Sequence, residues 1–385
     1  MIIPPAERLA NVNEYYFSKK LEEIRLMRAQ GIDIINLGIG NPDLAPSAST
    51  IQAATNALQD RKNHGYGSYR SSPELRAAMA EFYRDTYGVA LNPNNEILPL
   101  LGSKEGILYI SMAFLNPGDG VLVPNPGYPA YSAVASLVGA KIHSYDLTEE
   151  TDWLPDLEKL EQADLSGIKL MWVNYPHMPT GKQGSNELFS KLISFGRRNK
   201  ILICNDNPYS LILNPEPPQS LLSADPRFEV SLELNSLSKS FNMAGWRVGM
   251  VLGSNEVIDT ILRVKSNADS GMFQPVQTGA IEALKTPMQW HGQRNEIYGK
   301  RREVAYKIFD CLGFTYLRDQ VGMFIWAKAP DTVSDIAEYL DQILKTKHVF
   351  LTPGFIFGSN GKRYARISLC APVELLEEAL RRVTS

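Results

Sequence analysis

An α/β fold with a mostly parallel, two-side-covered central sheet, followed by a smaller α+β domain, is predicted by three observations. Short apolar runs alternate with longer amphipathic ones through the middle of this 385-residue chain, the pattern of strands and helices in turn. Unusual polar residues fall just after five of the short runs. After about residue 290 the alternation gives way to a long charged helical stretch and two isolated strand-like segments.

Taken in order, residues 12–30 read as a charged helix that packs on the smaller domain. The short runs 97–101, 121–124, 141–145, 169–174, 201–205, 230–234 and 247–252 read as strands of the sheet. The longer runs 104–115, 128–138, 186–199 and 255–265 read as the helices that cover it. In the smaller domain a helix at 293–312 precedes a strand at 323–327, a helix at 333–344 and a strand at 365–369. The expected units are an N-terminal segment, 1–45, packing with the small domain, a large domain, 46–290, and the small domain, 291–385.

Composition narrows the function classes. With 44% hydrophobic and 21% charged residues and a formal charge of −3, nothing points to nucleic acid or an anionic membrane as a partner. Cys204, Cys311 and Cys370 lie far apart in sequence, which fits a reducing cytoplasmic setting better than a disulfide framework. The start of the chain lacks a basic-then-apolar leader pattern, and no apolar stretch reaches membrane-spanning length. The five histidines show no metal-binding spacing, so no metal site is expected.

The run from Asn235 to Gly249 carries the most chemistry. Lys239 follows an apolar strand, among the hydroxyls of Ser236, Ser238 and Ser240, and Arg247 follows shortly after. A lysine can form a Schiff base with an aldehyde while hydroxyls and an arginine hold an attached phosphate, which is what pyridoxal phosphate requires. Ser236-Leu-Ser-Lys239 also fits a serine acyl-enzyme motif, but the Ser-Asp-Asn and Lys-Thr-Gly elements that mechanism needs are absent.

In an open α/β sheet, ligands bind beyond the carboxyl ends of the strands, and four more motifs sit there. Gly102-Ser-Lys-Glu-Gly106 opens a helix whose amides and dipole suit a phosphate. Asn125-Pro-Gly-Tyr128 offers a ring that can stack on a cofactor. Tyr175-Pro-His-Met-Pro-Thr-Gly181 forms a turn. Asp206-Asn-Pro-Tyr209 places a carboxylate that would keep a pyridine nitrogen protonated. Farther on, Tyr364-Ala-Arg-Ile-Ser368 supplies an arginine able to grip a carboxylate bidentately. Asn36-Leu-Gly-Ile-Gly-Asn-Pro-Asp43 lacks the third glycine and the βαβ context of a dinucleotide fingerprint.

These motifs, in this order from about residue 30 to the C-terminus, resemble those of class I/II pyridoxal-phosphate-dependent aminotransferases. The resemblance is nearest to the branch with LL-diaminopimelate, alanine and aspartate-type enzymes. It implies fold type I and an enzyme of amino-acid metabolism that moves an amino group between an amino acid and a 2-oxo acid, with glutamate and 2-oxoglutarate as the expected shared pair. A β- or γ-eliminating lyase and a non-catalytic pyridoxal-phosphate regulator are the alternatives.

The resemblance makes Lys239 the cofactor-bearing and proton-moving residue, Asp206 the partner of the ring nitrogen and Tyr209 a donor to the phenolic oxygen. It puts Ser103, Lys104, Ser236 and Arg247 on the phosphate, Tyr128 on the ring face, Ile39 and Gly40 beside the substrate, and Arg366 on its α-carboxylate. Tyr66, in Gly65-Tyr-Gly-Ser-Tyr-Arg-Ser-Ser-Pro73, matches a tyrosine that reaches the partner subunit's phosphate and so implies a homodimer with shared sites. Thr352-Pro-Gly354 and Phe357-Gly358 match the loop before the carboxylate arginine. The chain departs from the pattern at Ser71, where glycine is usual, and at Met178, where an asparagine donates to the phenolic oxygen. His177 or Asn174 is the expected substitute donor.

Overall fold

The computed structural model describes residues 3–9 and 16–385. The chain opens with α1 (Tyr16–Ala29), β1 (Ile35–Asn36), α2 (Ala48–Gln59), α3 (Pro73–Tyr87), β2 (Ile97–Leu100), α4 (Ser103–Phe114), β3 (Gly120–Asn125), α5 (Pro129–Leu137) and β4 (Lys141–Asp146). It continues through α6 (Leu157–Glu161), β5 (Ile168–Val173), α7 (Asn186–Asn199), β6 (Leu202–Asp206), β7 (Ser231–Ser236), α8 (Leu237–Ser240), β8 (Gly249–Gly253), α9 (Asn255–Ala268) and α10 (Gln274–Leu284). The last third holds α11 (Met288–Cys311), β9 (Phe324–Lys328), α12 (Ile336–Lys347), β10 (Val349–Phe350), β11 (Thr352–Pro353), β12 (Tyr364–Ser368) and α13 (Val373–Thr384).

Seven strands form the main sheet in the order β2-β8-β7-β6-β5-β3-β4. Neighbours are parallel except where β8 pairs with β7 and with β2. β2, β3, β7 and β8 are buried along their whole length, as strands covered on both faces must be, and β2, β3 and β8 therefore read as largely apolar runs. β4 lies at the edge and exposes most of its residues, Lys141 and His143 among them, which blunts that edge against pairing. Because β8 alone is reversed, its start lies at the edge where the other strands end. Ser236, Asp206, Asn125, Gly102 and Arg247 therefore share one rim.

Helix boundaries follow local capping. Ser185 accepts the Leu188 amide at 3.1 Å to start α7, which ends at Lys200 in the left-handed region. The helix expected from residue 333 begins at 336, because Asp335 caps it through the Ala337 and Glu338 amides at 2.8 and 3.2 Å. The helix expected from 293 begins at Met288, so the expected domain boundary at 290/291 falls inside the first turn of a continuous α11.

The C-terminal strands form an antiparallel sheet, β11-β12-β9. β1 pairs in parallel with β10, Ile35 beside Val349 and Asn36 beside Phe350. Lys20 of α1 donates to Asp341 of α12 at 2.8 Å. The start of the chain is thus tied to the C-terminal region through β1–β10 and Lys20–Asp341. The start of that expected helix, residues 12–15, lies outside the described residues. Among the described residues, no helix is long and apolar enough to cross a membrane.

Candidate active site

A cavity of about 620 Å³ opens at the shared rim, within the size range of cofactor sites. Eleven of the twelve site residues expected from sequence line it: Ile39, Gly40, Ser103, Lys104, Tyr128, Asp206, Tyr209, Ser236, Lys239, Arg247 and Arg366. Tyr66 does not. It is 93% exposed on the surface.

Lys239 stands in α8, directly after β7, and its amine donates to the Gly40 carbonyl. Gly40 must be glycine for this approach, since a β-carbon there would strike the Phe324 ring. Burial lowers the Lys239 pKa; Cys370 partly offsets this, while Arg366 and Arg247 push it further down. A lysine whose pKa is lowered holds its proton loosely, as proton transfer and Schiff-base chemistry need.

Asp206 ends β6 with one carboxylate oxygen, Oδ2, accepting from the Tyr131 hydroxyl at 3.0 Å. Its other oxygen, Oδ1, is buried with no hydrogen-bond partner. Burial raises its pKa from 3.8 to about 7; the Tyr131 bond opposes the rise and buried Glu233 adds to it. A buried carboxylate with one orphaned oxygen is matched to a cationic N–H.

At the other end, Gly102 caps α4 with no side-chain bond, leaving the first-turn amides open, with Ser103 and Lys104 beside them. Gly102 has φ +93°, and a β-carbon there would collide with the Arg247 guanidinium. Arg247 itself sits in the left-handed region at φ 56° and donates to Ser238 Oγ at 3.5 Å and to the Ala244 carbonyl at 2.9 Å. Open amides, a lysine and an arginine make an anion seat. Ser236 accepts the Ser238 amide at 3.1 Å and so starts the turn that carries Lys239. Ser240, read as part of the hydroxyl cluster, is instead turned away and donates to the Pro208 carbonyl at 3.0 Å.

Arg366 projects from β12. Its Nη2 donates to the Gly38 carbonyl at 2.8 Å and its Nη1 to Met178 Sδ at 3.2 Å. The guanidinium carbon lies 3.9 Å from the Phe324 ring centroid and 4.7 Å from that of Phe357. The aldehyde acceptor (Lys239), the carboxylate for a ring nitrogen (Asp206), the anion seat and the second arginine together fit pyridoxal phosphate.

The family model for aminotransferases of class I and II matches residues 32–383. The chain belongs to the class I and II aminotransferases. It is a pyridoxal-phosphate-dependent enzyme that transfers amino groups between amino acids and oxo acids, on the fold expected from its sequence. The aminotransferase is 38% identical over 379 residues to an LL-diaminopimelate aminotransferase of Natranaerobius thermophilus, covering 98% of each chain. It is 36% identical over 383 residues to that of Aquifex aeolicus, again over 98% of each. Among solved structures, apo-BacF of Bacillus subtilis superposes with a TM-score of 0.95 at 35% identity, over 100% of this chain and 98% of that one. The aspartate aminotransferase of Thermus thermophilus gives a TM-score of 0.92 at 25% identity, over 99% of each.

Neither expected substitute for the missing asparagine stands ready in the aminotransferase. Asn174 lines the cavity, but its amide donates to the Asp206 carbonyl and accepts from the Met178 amide at 3.0 Å. His177 does not line the cavity; it shares a 2.8 Å bond with Thr180, and burial lowers its pKa to about 3. Met178 occupies the position as a thioether against Arg366. Met178→Asn is therefore expected to lower the pKa of the lysine–cofactor linkage by about one to two pH units, the worth of one hydrogen bond to a charged oxygen. Parallel absorbance titrations of the two proteins check this, and superimposable curves would refute it.

Several lining residues were not anticipated. Phe17, Ser18 and Leu21 come from α1, Phe324 from β9, and Phe357 from the turn before β12. The apolar spacing Phe17, Leu21, Ile24 was the available signal for an inward face of α1.

Proposed function

We propose that the cavity acts through the following roles, carried above all by the convergence of Lys239, Asp206 and Arg366 on one space. Pyridoxal phosphate bound there supplies an aldehyde for Lys239 and a ring that draws electrons from the substrate Cα. Arg366 binds the α-carboxylate and so fixes which Cα bond faces Lys239. The Lys239 amine would take up the Cα proton and give it back, as base and then acid. Asp206 Oδ1 would hold the ring nitrogen protonated. Tyr128 would stack on the ring, Tyr209 would donate to the phenolic oxygen, and Ser103, Lys104, Ser236 and Arg247 would hold the phosphate. Ile39 and Gly40 border the substrate.

Glutamate and 2-oxoglutarate form one substrate pair in this proposal. Arg366, the lining cation not assigned to the cofactor, supports a carboxylate-bearing substrate. A cytoplasmic homodimer is proposed as well. The exposure of Tyr66, away from this chain's own cavity, supports a role toward a second copy's phosphate, and exposed Tyr69 and Phe273 offer apolar surface for such a contact. The large unit is taken as 46–290, with 1–45 and 291–385 acting together, as the β1–β10 pairing supports.

The test is spectroscopic. The cofactor absorbance of the purified enzyme is expected to bleach with an amino-acid donor and to return on addition of 2-oxoglutarate. An oxo acid that restores nothing would remove the proposed pair. Release of an oxo acid without bleaching would indicate elimination in place of transfer.

A further inference from the structure

One buried carboxylate has no part in the roles proposed above. Glu233 of β7 is fully buried and pairs with Asn205 of β6, one residue before Asp206. Among the described residues, five donors meet it. Its Oε2 accepts from Asn205 Nδ2 and from the Leu221 amide, both at 2.9 Å. Its Oε1 accepts from the hydroxyls of Tyr83 and Ser220, both at 2.8 Å, and from Asn207 Nδ2 at 3.4 Å. Each oxygen thus takes at least one N–H, which suits an ionised carboxylate.

Asn205 and Asn207 stand immediately before and after Asp206. Both are tied to the one carboxylate, and Asp206 is bracketed between them. Two backbone amides tighten the bracket: that of Asn207 donates to the Leu234 carbonyl at 2.8 Å, and that of Tyr175 donates to Asn205 Oδ1 at 3.0 Å. The network also runs on toward Lys239. The Tyr83 hydroxyl accepts from Asn235 Nδ2 at 3.0 Å, and Asn235 Oδ1 accepts the Ser236 amide at 2.7 Å. Burying a charge is costly unless hydrogen bonds offset it. If packing were the only need at this place in β7, an apolar residue of similar volume would serve as well.

We infer that Glu233 is a positioning residue for the cofactor ring: through the asparagines on either side it fixes Asp206 so that Oδ1 meets the ring nitrogen. This rests on the role proposed for Asp206. The Glu233 charge works in the same direction. Burial raises the proton affinity of Asp206 most, and Glu233 adds to it. A cationic ring nitrogen therefore relieves the repulsion between two buried carboxylates.

The test uses the whole chain stripped of cofactor, at pH 8. It compares the affinities for pyridoxal phosphate and for 1-deazapyridoxal phosphate, in which a carbon replaces the ring nitrogen. Glutamine at 233 accepts through one oxygen only, so one of the two asparagines loses its tie. Glu233→Gln is expected to reduce the preference for pyridoxal phosphate by about tenfold, the scale on which partners that orient a ligand act. Asn205→Ala cuts the tie next to Asp206, keeps the charge, and is expected to reduce the preference by about threefold. It carries the test if Glu233→Gln does not fold. A Glu233 that served stability alone would leave the preference unmoved while both compounds bound more weakly, and that result in either folded variant overturns the inference. Equal binding of the two compounds by the unaltered protein would remove the role proposed for Asp206 and the inference with it, a failure visible before any variant is made.

Discussion

Lys239→Ala is expected to slow amino-group transfer by at least about four orders of magnitude and to abolish the lysine-linked cofactor absorbance. The size follows from two duties resting on one amine. In the proposed mechanism it holds the cofactor covalently and, once displaced, moves the proton at Cα. Among the described lining residues no equivalent base is proposed: Lys104 is assigned to the anion seat and Asp206 to the ring nitrogen. The fold should hardly notice the change, because among the described residues the amine's hydrogen bond goes to the Gly40 carbonyl alone. Cofactor should still bind without the covalent link, through the α4 amides, Arg247 and Asp206. Rates and spectra of the variant, with unfolding curves to show an intact fold, check this. A variant that turns over within tenfold of the parent, about 1.4 kcal/mol in barrier, would remove Lys239 from the chemistry.

Asp206→Asn should change how the cofactor-free protein responds to pH. The carboxyl has an ordinary pKa of 3.8 in an unfolded chain and about 7 when folded, chiefly from burial. The folded state therefore binds this proton more tightly than the unfolded state. The stabilisation is fully present below pH 4 and is lost as pH rises through 7. By pH 8 the loss amounts to something on the order of 4 kcal/mol. Asparagine has no such titration, so the stripped variant should match the parent near pH 4 and exceed it increasingly toward pH 8. Other buried groups, such as His177 and His291 with pKa values lowered to about 3, titrate in both proteins and cancel in the difference. With cofactor bound the order should reverse, since the ionised carboxylate then faces a cation. Urea unfolding from pH 4 to 8 measures this, and parallel curves for the two stripped proteins would disprove it.

Much of this site was legible in the sequence because its residues attach to features with strong local patterns. β2, β3, β5, β6 and β7 are buried strands and leave apolar runs, so the residue after each run could be placed at the rim. Lys239, Asp206 and Ser103 were located in this way. Arg247 was found by its spacing from Lys239, and the reversal of β8 is what brings it to the same rim.

What was not legible depends on contacts between distant segments. α1 reads as a charged helix, with Lys19, Lys20, Glu22 and Glu23 in its middle. Its turn of Phe17 and Leu21 toward the cavity follows from the pairing of β1 with β10, more than three hundred residues away. The contact between Met178 and Arg366 spans 188 residues. The commitments of Asn174 and Ser240 to backbone carbonyls were equally hidden, because a side-chain amide or hydroxyl takes whichever partner the tertiary fold brings near.

The reversed strand has a consequence for how this protein can vary. The chain leaves β7 at Ser236 and enters β8 at Gly249, with twelve residues between. The amine and the arginine of the cofactor seat lie at opposite ends of that short link. An insertion or deletion inside it would pull the two out of step, so the pair acts as one cassette of fixed length. Between β4 and β5 the chain detours through the short α6, which has no buried residue, and residues can be gained or lost in that surface excursion without moving the rim. Tolerance to length change should therefore be lowest between 237 and 248 and far higher in the connections around α6.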